Sequence, residues 1–92
     1  MLINQVDIKA VEKDLRKVPI EILKKFRKWV DDIETYGLEE TRKVPGWRDH
    51  VLYGDRVGQR SICLNRKWRA IYIMIGDYIK IVKVIEVHAH DY

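Results

Sequence analysis

The chain has 92 residues, a formal net charge of +4, 47% hydrophobic and 35% charged side chains, which excludes a disordered or lipid-embedded chain. A sequence this short buries about two thirds of its unfolded surface and cannot divide its core, so one domain from Met1 to Tyr92 is expected. No apolar run reaches the roughly 20 residues of a membrane span, and Cys63 stands alone. Together these predict a cytoplasmic protein with no membrane contact, no internal disulfide and no multi-thiolate metal centre.

Residues 2–6 suit an edge strand. Over 7–18 the apolar positions Ile8, Val11, Leu15 and Val18 recur every three or four residues, the period of a helix with one buried stripe. Pro19 fits the first turn of a second helix, Glu21 its positive end, and Gly37 a left-handed cap. Between them Ile22, Leu23, Phe26, Trp29, Val30 and Ile33 share one face. The opposite face, with Lys24, Lys25, Arg27, Lys28, Asp31 and Asp32, reads as solvated surface.

Residues 39–48 read as a polar connection with Pro45-Gly46 as its turn signal, after which alternation replaces helical spacing. Strands are predicted at 50–53, 59–65, 68–75 and 78–87, with loops at 54–58, 66–67 and 76–77. Such short connections favour antiparallel neighbours. The expected fold is therefore α+β: an N-terminal helical hairpin packed on a small antiparallel sheet.

Charge is uneven along the chain. Residues 1–41 carry net −1 and residues 42–92 net +5, so the field that would gather a polyanion belongs to the second half. There, strand parity puts Arg69 on the same side as Ile71, Ile73 and Ile75. A guanidinium beside an apolar face needs an anion, either a protein carboxylate or a substrate phosphate gripped through two hydrogen bonds. His50, Arg56, Arg60, Arg66 and Lys67 lie in the adjoining strands and loops, with Trp47, Tyr53 and Trp68 among them as rings on which unpaired bases could stack. At the far end comes His88-Ala89-His90-Asp91-Tyr92. Its histidines suit proton transfer near neutral pH. Without Cys or carboxylate at ligand spacing, no metal site is expected.

The run His50-Val-Leu-Tyr-Gly-Asp-Arg-Val-Gly-Gln-Arg-Ser-Ile-Cys-Leu-Asn-Arg-Lys-Trp-Arg69 and the terminal His90-Asp91-Tyr92 resemble the RelE/HigB toxins. The first is similar to the HigB pattern H-x-L-x-G-D-R-x-G, a strand, then N-x-x-W-R. Tyr53 stands where HigB-like members often have Lys. The resemblance implies the toxin of a type II toxin-antitoxin pair, an endoribonuclease that cleaves mRNA, commonly on the ribosome, without metal or cofactor, and that an antitoxin from an adjacent gene inhibits. It assigns Arg69 to the scissile phosphate and Tyr92, His90 and His50 to the active site. The basic and aromatic residues Arg56, Arg60, Arg66, Lys67 and Trp68 would bind RNA.

That chemistry is self-consistent: cutting RNA without metal needs a base for the ribose 2′-OH, positive charge for the phosphorane oxygens and an acid for the leaving 5′ oxygen. An imidazole with an ordinary pKa of about 6.5 makes His90 a candidate base, and His50 or Tyr92 a candidate acid. Two other readings share these residues. A ParE-like toxin would inhibit DNA gyrase and cut no RNA, and a nonenzymatic nucleic-acid-binding module would need no titratable side chain beside a phosphate site.

Overall fold

The computed structural model describes residues 5–76 and 80–89. The heptad-like stripe of the second predicted helix becomes α2, Ile20–Tyr36, which buries Ile22, Phe26, Trp29 and Ile33. Pro19, with a fixed φ of −57°, is its N-cap rather than its first residue. The first predicted helix is shorter than its apolar period implies: a 3-10 turn over Lys9–Val11 leads into α1, Glu12–Leu15, and only Val11 and Leu15 are buried.

Gly37 ends α2 at φ 88° and ψ 159°, an extended conformation open to glycine and not the left-handed cap expected. It lets the chain turn at once into α3, Leu38–Arg42, within the stretch read as polar connection. Leu38 and Thr41 point inward there, and the Thr41 hydroxyl donates to the Gly37 carbonyl at 2.9 Å.

Five strands form one sheet: β1 (Val6–Asp7), β2 (His50–Val51), β3 (Arg60–Cys63), β4 (Trp68–Ile75) and β5 (Ile81–Ala89), in spatial order β1-β5-β4-β3-β2. The meander from β2 to β5 is antiparallel as expected. The expected N-terminal edge strand corresponds to β1, but it pairs with β5 in parallel, so the sheet is mixed. This follows from topology: the chain leaves the edge, crosses the sheet as helices and re-enters at the opposite edge.

The core lies between one face of the sheet and the helices. Ile62, Leu64, Ala70, Tyr72, Val82, Val84 and Val87 meet Val11, Phe26, Trp29 and Ile33, each under 9% exposed. The rings of Trp29 and Tyr72 pack at 5.4 Å between centroids, and Phe26 and Trp29 at 6.0 Å. Beside them sits a charge network. Asp49, its side chain 1% exposed, accepts from Arg60 Nε at 2.6 Å and from the Tyr72 hydroxyl at 2.5 Å. Burial pushes the Tyr72 phenol well above its usual range, and its hydrogen bond to the Asp49 carboxylate adds to this. Burial works against the Arg60 charge, but Asp49 outweighs it and holds the guanidinium above its ordinary value.

Truncating Asp49 to Ala strands Arg60 and is expected to cost about 3 kcal/mol in denaturant unfolding, against about 1–3 kcal/mol for Tyr72→Phe, which keeps the ring but removes one donor. The phenol also sets an alkaline limit. The unfolded chain ionises Tyr72 near pH 10 while the folded chain keeps the proton, so stability falls as pH rises past about 10, and Tyr72→Phe should flatten that decline. Equal alkaline slopes for parent and Tyr72→Phe would refute the assignment.

Candidate functional site

The sheet has a second face, away from the helices, and strand register determines which side chains reach it. Ser61 pairs with Ile71 and Cys63 with Arg69, so these four point away from the side of Ile62, Ala70 and Tyr72. On β5 the alternation is interrupted: Ile71 pairs with Glu86 but Tyr72 with Val84, leaving Ile85 as the extra residue of a β-bulge. Val82 and Val84 before it and Val87 after it all face the core. Glu86 and His88 are thereby turned to this second face, which is open around Arg69, Glu86 and His88 and covered over Ser61 and Ile71. His88 and Arg69 are direct partners across β4 and β5, and Glu86 lies opposite Ile71 in the next row.

The turn between β3 and β4 fixes where Arg69 starts. Asn65 Oδ1 accepts from the backbone N–H groups of Lys67 at 2.8 Å and Trp68 at 2.7 Å, the local side-chain turn that Asn favours. Arg69 Nη1 then donates to the Asn65 carbonyl at 2.9 Å. Glu86 accepts from Arg56, which also donates to Gln59 at 2.8 Å. The other Glu86 oxygen lies 3.7 Å from His88 Nε2. His88 Nδ1 lies 3.2 Å from the Ala89 carbonyl, so each ring nitrogen has an acceptor near it, Ala89 on one side and Glu86 on the other.

The expected site residues separate into groups. Arg69 is on the open face and half-buried, and the Asp49 carboxylate pairs with Arg60. Arg60, expected among the RNA-binding residues, belongs to the core side, where it is bound to Asp49. Arg56 is near the open face but engaged with Glu86. Arg66 and Lys67 are exposed in the β3–β4 turn, and Trp68 is half-buried and packed against the core. His50 pairs with Ser61 and so shares the open face, two strands from β4, a lateral separation of about 10 Å. Its Nδ1 donates to the Arg48 carbonyl at 2.7 Å. His90 and Tyr92 lie outside the described residues.

Glu86 was not anticipated. Unbroken alternation would set Glu86 and His88 on the buried side with Val82 and Val84, an improbable place for both, and that conflict was the available signal for a bulge.

No family model and no curated protein matches the sequence. Solved structures do match. A YoeB/ParE toxin from Agrobacterium tumefaciens superposes with a TM-score of 0.68 at 15% identity, over 95% of this chain and 99% of that one. A chain of the RelBE2 toxin-antitoxin complex from Mycobacterium tuberculosis gives 0.68 at 19%, over 97% and 100%. YafQ from E. coli gives 0.65 at 18%, over 92% and 93%. End-to-end coverage at these TM-scores means that the chain adopts the fold of the RelE/ParE toxins.

Proposed function

We propose that the chain is the toxin of a toxin-antitoxin pair and acts as an endoribonuclease that cleaves mRNA at the ribosome. The observation that carries this reading is the direct pairing of Arg69 with His88 on the open face, with Glu86 in the adjacent row. An arginine fork beside a titratable imidazole supplies charge for a phosphorane and a site for a proton in one place.

In this reading the ribose 2′-OH attacks the neighbouring phosphorus and the bond to the 5′ oxygen breaks. Arg69 takes the developing charge on the non-bridging oxygens. An imidazole at the end of β5 accepts the 2′-OH proton: His88 is the cross-strand partner of Arg69, and the family pattern adds His90. Glu86 can receive the protonated His88 Nε2 as an ion pair, and Arg56 holds Glu86 in place. Tyr92 or His50 returns a proton to the leaving oxygen. Arg66 and Lys67 neutralise flanking phosphates. Asn65 is a positioning residue, since it shapes the turn and anchors the Arg69 side chain.

A toxin of this kind needs a mask. One structural neighbour was solved as a toxin-antitoxin complex, which supports a protein partner from an adjacent gene. A partly disordered antitoxin can wrap a large surface and cover a basic face with acidic or apolar side chains. Co-expression with the neighbouring gene product should give a complex that survives purification and no longer cuts RNA. Free, active toxin in that preparation would count against the partner.

Arg69→Ala should lower mRNA cleavage in a purified translation system by about 2–4 kcal/mol of transition-state stabilisation, with melting temperature near the parent's. Among His88→Gln and His90→Gln, the variant that loses the base should also lose the acidic limb of the pH-rate profile while retaining RNA binding. Asn65→Ala should slow cleavage less than Arg69→Ala. If expression arrests growth while mRNA stays intact and purified gyrase is inhibited, the ParE-like reading replaces this one.

A further inference from the structure

A concavity adjoins the open face at Cys63 and Arg69. It is a cleft of about 1100 Å³ between α2, α3 and the β3–β4 turn. β2 pairs only with Arg60 and Ser61, so the end of β3 and the residue after it are left to line this cleft, through Cys63 and Leu64. Lys25, Arg48, Arg66 and Arg69 bring positive charge to its walls, and Tyr36 and Trp47 bring rings. Its two acids among the described residues are already engaged: Asp32 with Lys28 at 3.2 Å, and Glu40 with Lys43 at 3.1 Å. Lys25, on the helix face read from sequence as solvated surface, sits 5.7 Å over the Trp47 ring.

Two details link the cleft to the open face. Arg69 borders both. Arg48 has the one positive φ of a non-glycine residue among the described residues, 49°, which is costly and holds its side chain on the cleft wall while its carbonyl accepts from His50. Tyr36 is 63% exposed, a ring presented to solvent in the same cleft as Lys25, Arg48 and Arg66.

Cations spaced along a groove with an exposed aromatic platform match single-stranded nucleic acid, whose phosphates and base faces alternate, better than an acidic peptide, which needs only the charge. We propose that this cleft is a second RNA subsite that holds the single-stranded segment flanking the phosphate bound at Arg69, with phosphates on Lys25, Arg48 and Arg66 and a base stacked on Tyr36. The subsite rests on the ribonuclease reading and extends it: RNA then runs from the open face, past Arg69, into the cleft.

The test uses fluorescent 2′-O-methyl RNA, which lacks the attacking hydroxyl and stays intact, in lengths of three and ten nucleotides. Lys25→Gln with Arg48→Gln should weaken the ten-nucleotide probe about tenfold at physiological salt and reduce its logarithmic salt dependence by about 1.4, since each phosphate contact on a single strand contributes about 0.7. Tyr36→Ala should weaken the same probe about tenfold while Tyr36→Phe retains affinity, because stacking needs the ring and not the hydroxyl. Binding of the three-nucleotide probe, long enough only for the open face, should be unchanged, and melts of each variant should match the parent. Parent-like affinity and salt dependence for the ten-nucleotide probe in the cleft variants would overturn the subsite while leaving mRNA cleavage intact. If those variants instead lose only a glutamate-rich peptide, the cleft takes polypeptide and the proposal is wrong. If the parent neither binds nor cuts RNA, the ribonuclease reading fails and the subsite with it.

Discussion

The sheet depends on one buried carboxylate. Asp49 is almost wholly removed from water, and a carboxylate in that position is tolerated only if donors replace its hydration. Arg60 from β3 and Tyr72 from β4 do so, which ties the segment entering β2 to two neighbouring strands. The period of two then propagates the choice. With Arg60 and Tyr72 facing the helices, Ser61, Ile71 and Arg69 must face the other way. The orientation of Arg69 toward the open face is thus settled on the opposite side of the sheet, by Asp49, Arg60 and Tyr72.

Much of the fold was legible because the signals were periodic and long. The apolar stripe of α2 and the alternation of β4, whose predicted and observed limits coincide, each repeat over two or more turns or pleats. The short elements were not legible. α3 has only Leu38 and Thr41 as inward positions, too few to show a period among Glu39, Glu40 and Arg42. β1 is two residues long, and nothing local can reveal that its partner is a parallel strand more than 70 positions away.

The site shows the same division. Parity placed Arg69 with Ile71 correctly, and it held information about Arg60 that charge obscured. Arg60, Ile62 and Leu64 form one alternating series with two core members, so the arginine in that series belongs inside. Its basicity suggested RNA, whereas its neighbours required a buried anion. Lys25 went the other way: a helix cation that sequence assigns to solvent lines a groove only because α3 and the β3–β4 turn fold up beside it.

The bulge at Ile85 gives β5 two reading frames. Upstream, residues with even numbers are buried; downstream, Val87 is buried and the even-numbered Glu86 and His88 are presented to the open face. A single codon at this point therefore governs which chemical groups the strand shows, independently of which amino acids it contains. Gain or loss of one residue there exchanges the two sets from Glu86 to Ala89 while the hydrophobic inventory of the strand barely changes. Within such a fold, a reactive surface can appear or vanish through strand length alone, a change that a comparison of composition or of apolar content would not register.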